Sequence, residues 1–230
     1  MELWVQFLSQ SGFCVEFPGR TLVFDPDTPQ AVPARALSQK QVDVFVSHSH
    51  ADHFSPGIFA WQKAHPQVRY LLSDDIPPQK GAGRIGPRQR IVFDGIEVST
   101  LRSTDLGVAF LLQLPGCTLF HAGDLNFWHW DGEDPAWNRQ MAQDYRAEIA
   151  RLRGLSIDLA FLPLDPRLGR AYLWGIDTFL RTVAVKKVIP MHFGEDFSVI
   201  SRLEKDPQAA SYRDRVVPLH QHGERIRIKV

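Results

Sequence analysis

Three histidines and an aspartate lie within six residues, from His48 to His53, in the stretch VSHSHADHFS. In an extended segment alternate side chains point the same way, so His48 and His50 can converge on one metal ion. Asp52 and His53 follow after the chain turns and can face a second ion nearby. Imidazole and carboxylate ligands suit zinc, iron or manganese, and such an ion can lower the pKa of bound water toward about 7. A polar surface loop is the simpler alternative, but the His-x-His-x-Asp-His spacing directly after an apolar strand favours a metal site.

The elements that must position this stretch are predicted to be strands first. Residues 3–8, 12–17 and 21–26 are short aromatic and β-branched runs separated by turn signals. VDVFV, at 42–46, is an almost continuous apolar strand, which predicts burial on both faces. The histidine-rich stretch begins at its C-terminal end, and the end of a strand is where a layered fold builds a site.

Later in the chain, the spacing of apolar residues predicts helices as well as strands. Asp134 and Pro135 provide an N-cap and a first-turn proline. Apolar residues then recur every three or four positions up to Gly154, which predicts an amphipathic helix with a core-facing stripe of Trp137, Met141, Tyr145, Ile149 and Leu152. The remaining predictions are a helix at 55–66, strands at 68–73, antiparallel strands over 91–123, a strand at 157–164, a helix at 176–187, strands at 187–193 and 225–230, and loops at 27–40 and 76–90.

Composition narrows the class of protein. The chain has 230 residues, 44% of them hydrophobic, with no internal linker or repeat, so we predict one domain over residues 1–230. The 26 basic and 26 acidic side chains cancel, which argues against nucleic acid or an anionic membrane as partner. The cysteines, Cys14 and Cys117, lie in apolar runs and are predicted to be buried and reduced. With no signal peptide and no long apolar run, a cytoplasmic location is expected.

Three motifs together identify a family resemblance. SHSHADH at 47–53, HAGD at 121–124 and PMHFG at 190–194 resemble the metallo-β-lactamase superfamily, and most closely its small, single-domain hydrolase-like members. FCVEFPGRTLVFDP is also similar to the opening hairpins of that family, so the resemblance spans nearly the whole chain. It implies an α+β fold, a four-layer αββα sandwich of two mixed β-sheets with helices on the outer faces. It also implies a binuclear metal site at one edge.

The resemblance assigns the metal ligands residue by residue. His48 and His50 would bind the first ion, Asp52 and His53 the second, and Asp124 would bridge the two. His192 matches the last ligand of the second ion. The resemblance further implies that a bridging hydroxide is the nucleophile. Asp52, if it does not ligate fully, is the natural proton carrier. The two divalent ions would be zinc by family, with manganese or iron as alternatives.

One ligand of the family pattern is missing. Members of the superfamily usually carry a further histidine before the HAGD-like segment, whereas this chain has no histidine between His65 and His121. The matching stretch reads LRSTDLGVAF, in which Asp105 is the best substitute. Three interpretations stay open: Asp105 binds the first ion and makes the site harder, the first site is weak, or catalysis is lost and the protein is a binding module.

Four further residues are candidates for the site. His121 would orient a ligand or contact substrate as a second catalytic residue beside Asp52, and a simple buried histidine is the alternative. Asp25 would support a ligand or only form a turn. Trp128 and Trp130 would form an aromatic wall that binds substrate, if their loop overhangs the metals.

The function that these residues favour is metal-dependent hydrolysis of an ester-like bond in a small molecule, such as a phosphodiester, lactone or thioester. Di-iron oxidoreductases share the fold that the resemblance implies and are not excluded. The rival class is a non-catalytic or regulatory module that binds a ligand through the aromatic loop. Occupancy of the first metal position separates the two classes, because without it little turnover is expected.

Overall fold

The computed structural model describes residues 1–230, which form thirteen strands. Aromatic and β-branched residues are frequent in them, as such residues pack well on a pleated surface. In chain order the strands are β1 (Glu2–Ser9), β2 (Gly12–Phe17), β3 (Arg20–Phe24), β4 (Gln41–Val46), β5 (Val68–Ser73), β6 (Gly83–Ile85), β7 (Arg90–Phe93), β8 (Ile96–Arg102), β9 (Val108–Leu114), β10 (Cys117–His121), β11 (Ser156–Pro163), β12 (Ala184–Met191) and β13 (Arg225–Lys229).

The strands form two mixed sheets. The first has seven strands in the order β13-β1-β2-β3-β4-β5-β6, antiparallel from β13 to β3 and parallel from β3 to β6. The second has six strands in the order β12-β11-β10-β9-β8-β7, parallel from β12 to β10 and antiparallel beyond. Each sheet therefore has a parallel portion, whose strands all end at one edge.

The main core lies between the sheets. Alternate residues of a strand face opposite sides, so Phe13 and Val15 on β2 join the main core while Cys14 faces a smaller core outside the first sheet. On β4, Phe45 faces the main core, and Val42, Val44 and Val46 face the smaller one. The prediction that this strand is buried on both faces is confirmed. Cys14 and Cys117 are both buried and unpaired, as predicted.

Five α-helices cover the outer faces: α1 (Ala34–Leu37), α2 (Trp61–Ala64), α3 (Pro135–Ala150), α4 (Trp174–Thr182) and α5 (Ser198–Lys205). α1 contributes to the core outside the first sheet, and α3 and α4 pack side chains such as Tyr145 and Phe179 against the second sheet. The predicted α+β class with two mixed sheets and outer helices is thus confirmed. No helix is both long enough and apolar enough to cross a bilayer.

The structure corrects several predicted elements. The helix predicted at 176–187 ends at Thr182, and residues from Ala184 onward belong to β12, where Val185, Lys187 and Val188 pair with β11. The apolar periodicity of these residues also suits a helix, but their backbone hydrogen bonds to β11 place them in the parallel sheet. The predicted loops contain α1 and the short strand β6. The helix predicted at 55–66 is a 3₁₀ turn, Pro56–Ala60, followed by α2. Asp134 does cap α3, accepting from the backbone of Ala136.

Candidate metal centre

The predicted ligands all lie at the edge where parallel strands end. Asp25 follows β3, the histidine-rich stretch follows β4, and Asp124 and His192 follow β10 and β12. The connection between β8 and β9, which carries Asp105, reaches the same edge. Strands that run parallel bring their C-terminal ends together, so residues far apart in the chain meet here.

Ser47 fixes the orientation of His48. The Ser47 hydroxyl donates its proton to Asp25, with the oxygens 2.6 Å apart, so it can only accept from Nδ1 of His48, at 3.0 Å. The proton of neutral His48 is therefore on Nδ1, and Nε2 offers a lone pair. That Nε2 lies 3.1 Å from Nδ1 of His50 and 3.5 Å from Oδ2 of Asp124.

Asp25 fixes the orientation of His53. Its carboxylate is fully buried and lies 2.7 Å from Nδ1 of His53, which donates to it. Nε2 of His53 therefore points the other way, to within 3.2 Å of Oδ1 of Asp124 and 3.9 Å of Asp52. The chain can bring His53 back because it turns after His50, whose carbonyl accepts from the amide of His53. Asp25 thus supports a candidate ligand directly.

Asp165 holds the third anchored histidine. This buried carboxylate, at the end of β11, accepts from Nδ1 of His192 at 3.1 Å. Nε2 of His192 then lies 3.3 Å from Oδ1 of Asp124. His192 and Asp25 both have positive φ, at 64° and 40°. Such conformations cost about 1–3 kcal/mol each and persist where the surrounding structure imposes them.

Asp105 and Asp52 complete the cluster from the solvent side, with about half of each side chain exposed. Oδ2 of Asp105 is 3.7 Å from Nδ1 of His50. The candidate ligands fall into three groups whose ligand atoms lie within 4.8 Å of one another: His48, His53 and Asp124; Asp52, His53 and His192; and His50, Asp105 and Asp124. The structure therefore brings together all seven residues assigned as ligands, with Asp124 and His53 each shared between two groups.

The donor set fits divalent cations. Nε2 of His53 and Oδ1 of Asp124 are buried and face each other at 3.2 Å, and neither makes a well-aligned hydrogen bond to any other protein atom. Buried polar atoms without partners are rare in native proteins, and an ion is a standard reason for them. In His48, His53 and His192, Nδ1 contacts an oxygen atom of Ser47, Asp25 or Asp165, respectively, which leaves Nε2 facing the cluster. Such contacts orient metal-bound imidazoles in other proteins. Nitrogen and carboxylate ligands without sulfur suit zinc, manganese and iron.

The pKa shifts of the cluster also favour a positive charge between His53 and Asp124. Burial alone would raise the pKa of Asp124, but His53, His192 and His48 hold it far below its usual range. Burial would likewise lower the pKa of His53, yet the Asp124 and Asp25 carboxylates raise it to about 11. In the metal-free protein a proton on His53 therefore supplies the positive charge, and metal binding must displace it.

Two glycines allow the elements to approach closely. A Cβ at Gly107, where φ is 71°, would overlap the carbonyl oxygen of Ser47 and lie 2.6 Å from Cβ of His48. A Cβ at Gly123, where φ is 50°, would lie 2.7 Å from Cβ of Ser47. The segment that carries His48 is therefore held between the β8–β9 connection and the Asp124 turn, which only glycine permits at both positions.

An open pocket of about 280 Å³ lies above the cluster. Trp128 and Trp130 line it, with ring planes 6° apart and centroids 6.3 Å apart. Trp128 is nearly buried, and its indole N–H donates to the carbonyl oxygen of Asp124 at 2.9 Å. The loop therefore lies beside the candidate ligands, which was the condition for Trp128 and Trp130 to form an aromatic wall.

Two sequence-based assignments do not fit the structure. Trp137 was predicted to pack in the core, but it is 40% exposed and lines the pocket, as Met141 does, because this side of the first turns of α3 forms part of the pocket wall. His121 was a catalytic candidate, but it is fully buried. Its Nε2 lies 2.9 Å from the Ser11 carbonyl, and its Nδ1 accepts from Gly123 N. His121 therefore supports the Asp124 turn and cannot contact substrate.

Arg167 and Asp165 were missed by the sequence analysis. Arg167 lines the pocket and forms an ion pair with Asp165, which also holds His192. No motif marks either residue. The one available signal was the position of Asp165 directly after the apolar run of 157–164, at a strand end like those of the other candidates.

The arrangement defines a metallo-β-lactamase fold. A metallo-β-lactamase fold protein from Bacillus subtilis, YhfI, superposes with a TM-score of 0.62 at 12% identity, over 98% of this chain and 99% of that one. The resemblance to the metallo-β-lactamase superfamily that the motifs indicated is thus confirmed at the level of the fold.

Two other solved structures share this fold. Igni18, a metallo hydrolase from Ignicoccus hospitalis, gives a TM-score of 0.68 at 16% identity over the whole of both chains. CmlA, a diiron β-hydroxylase from Streptomyces venezuelae, gives 0.62 at 12% identity, over 99% of this chain and 54% of its own. No protein-family model matches the sequence, and no curated protein does.

Proposed function

We propose that the protein is a metal-dependent hydrolase that cleaves an ester-like bond in a small molecule, such as a phosphodiester, a lactone or a thioester. The observation that carries the proposal is the convergence of seven ligand-type side chains at an open pocket: five of them line it, and His48 and His53 lie buried beneath, with Nε2 of His53 facing Oδ1 of Asp124. Igni18, a metallo hydrolase of the same fold, adds support.

Following the family pattern, the residues are proposed to divide between two ions. His48, His50 and Asp105 would hold the first, Asp52, His53 and His192 the second, and Asp124 both. Two divalent ions at these positions would supply Lewis acidity that activates water and polarises the substrate oxygen. Zinc is proposed first, with manganese and iron as alternatives because three of the seven side chains are carboxylates.

Asp52, if the second ion does not engage its carboxylate fully, is the proposed proton carrier. Its side chain is about half exposed and lines the pocket, so it can exchange protons with solvent as well as with a bound substrate. The pocket walls are indole and thioether groups on one side, which exclude water from an apolar part of the substrate. General acid–base catalysis from such a position contributes about 10²–10⁴-fold to a rate.

A di-iron oxidoreductase is the second candidate. The observation that favours it is Asp105, which puts a carboxylate where the family pattern has a histidine and makes the ligand set harder. CmlA is a diiron β-hydroxylase with the same fold. A strong preference for zinc would argue against this second candidate before any substrate is known.

The test begins with metal content, measured by plasma mass spectrometry on protein purified without chelator and then incubated with zinc, manganese or iron. We expect two ions per chain and hydrolysis of at least one of three probes: bis(4-nitrophenyl) phosphate, an aryl lactone and an aryl thioester. Asp124→Asn should lose both ions and all hydrolysis, whereas His220→Ala, an exposed histidine paired with Glu224, should lose neither. Fewer than one ion per chain with every metal, together with no turnover, would refute the proposal.

A further inference from the structure

Arg167 is held in one orientation at the rim of the metal cluster. Its Nε lies 3.0 Å from each oxygen of Asp165, and its Nη2 also donates to that carboxylate. Because Asp165 also accepts from Nδ1 of His192, the guanidinium has a fixed position relative to a candidate metal ligand. A planar guanidinium fixed in this way loses little freedom when it binds a further group.

The guanidinium keeps donors for such a group. Asp165 engages the Nε and Nη2 side, and Nη1 donates to no protein atom. The side chain of Arg167 is 62% exposed although its partner is fully buried, and it is the one lysine or arginine that lines the pocket. Free guanidinium N–H groups match the oxygens of a carboxylate or a phosphate. Two divalent ions would moreover outweigh the carboxylates of Asp52, Asp105 and Asp124.

Aromatic surface lies beside these donors. The guanidinium carbon of Arg167 is 5.9 Å from the ring centroid of Trp130, which stacks on Trp128. Trp137, the most exposed tryptophan of the chain, faces the same pocket from α3. Exposed indoles in a pocket offer a flat apolar surface to a ring.

We propose that the pocket takes a small molecule that carries an anionic group, a carboxylate or a phosphate, next to a planar ring. Arg167 binds the anion, and Trp130 and Trp137 contact the ring. The inference rests on the proposed function, because this subsite is one wall of the pocket whose floor holds the metal ligands. It narrows the substrates to anionic aryl esters and related compounds.

Arg170 provides a matched control. It lies three residues further along the same 3₁₀ segment, pairs with Asp131 at 3.0 Å and is similarly exposed. It lines a neighbouring cavity on the far side of Trp130 and does not line the pocket above the metal ligands. A general effect of losing one positive charge should therefore appear equally in Arg167→Gln and Arg170→Gln.

The test measures binding by calorimetry on zinc-incubated protein, with probes that carry no ester bond. Phenylacetate and benzylphosphonate are the aryl anions, phenylacetamide is the neutral counterpart, and acetate and methylphosphonate lack the ring. We expect the wild type to bind an aryl anion about tenfold or more tightly than either counterpart, as for an exposed charge-assisted contact. The relative affinities of the two aryl anions distinguish carboxylate from phosphate substrates.

The variants assign that preference to residues. Arg167→Gln should lose the preference for anion over amide, Arg167→Lys should keep part of it, and Arg170→Gln should keep all of it. Trp137→Ala should weaken binding of phenylacetate and leave acetate unchanged. An anion preference that survives in Arg167→Gln would overturn the proposal, since the ions alone would then explain it. Failure of folded wild-type protein to bind any aryl anion at millimolar concentration would overturn it as well.

Metal content and hydrolysis are measured on the same preparations and separate the two proposals. Protein that binds two ions but shows no Arg167-dependent preference refutes the subsite alone. Protein that binds no metal but keeps the Arg167-dependent preference refutes the hydrolase and supports the subsite.

Discussion

Asp25→Asn is the sharpest test of how the ligands are oriented. Oδ1 of Asp25 accepts from Ser47 N at 2.7 Å, while Oδ2 accepts from the Ser47 hydroxyl at 2.6 Å and from Nδ1 of His53 at 2.7 Å. Asparagine has the same shape but replaces one oxygen by an NH₂ donor. In either orientation this donor faces another donor, either Ser47 N or Nδ1 of His53.

The size of the effect follows from that mismatch. If the NH₂ faces His53, Nδ1 must become an acceptor, and the proton of the neutral ring moves to Nε2, where the ion should bind. Changes in residues that orient metal-bound histidines cost about 10–100-fold in metal affinity, or about 1.4–2.8 kcal/mol. We expect the upper end, since Asp25 also loses its charge. The buried mismatch should cost about 2 kcal/mol in unfolding free energy, or about 5 °C in Tm.

Competition with a chromophoric zinc chelator at neutral pH measures the affinity, and circular dichroism measures Tm. Asp43→Asn is the control, because Asp43 is also a fully buried carboxylate but lies near the start of β4, 3.2 Å from Arg20. Burial raises the pKa of Asp43 to about 7, so an amide resembles its protonated form. If Asp25→Asn bound two zinc ions with the affinity of wild type and of Asp43→Asn, the orientation argument would be refuted.

Three further predictions concern the same site. Asp105→Ala should bind one ion per chain, and Asp105→His should bind two ions with a stronger preference for zinc over manganese. Plasma mass spectrometry measures the metal content of both variants. Two ions in Asp105→Ala would contradict the assignment of Asp105 as a ligand. Gly107→Ala should destabilise the fold by about 3 kcal/mol or more in urea unfolding, because its Cβ overlaps the Ser47 carbonyl; a wild-type midpoint would contradict this. In chelator-treated protein the pKa of His53 is raised from its ordinary 6.5 to about 11, so its contribution to stability is complete below pH 6.5 and is lost as the pH rises toward 11. Tm should fall over that range in chelator-treated protein only, and an equal fall with zinc bound would refute this explanation.

The candidate ligands were predictable because their pattern is local or motif-like. His48, His50 and His53 follow an apolar strand within one short stretch, and Asp124 and His192 each end a strand of their own. Position after a strand is readable from sequence. Parallel pairing then brings strand ends together, so a correct assignment of strands already implies a common edge.

Residues whose contacts depend on the register in which two strands pair could not be predicted from the sequence. Asp165 meets His192 because β11 and β12 pair with Pro163 opposite Met191, and nothing in the spacing of these residues reveals that register. Trp137 was placed in the core because periodicity identifies the face of a helix and not which turns the sheet covers. The same limit applies to β12, whose first residues also suit a helix.

The missing histidine is best explained by how closely the β8–β9 connection packs on the histidine-rich segment. An aspartate is shorter than a histidine, so its backbone must lie nearer the ion to act as a ligand. Gly107 permits this, since its position against Ser47 leaves no room for a Cβ, and Val108 N donates to the Ser47 carbonyl at 3.0 Å. The connection is also fixed in place, because Thr104 accepts from the backbone of Asn126 and donates to its carbonyl. This geometry is compatible with Asp105 as a ligand in a harder site, and the metal content of Asp105→Ala decides among the three interpretations.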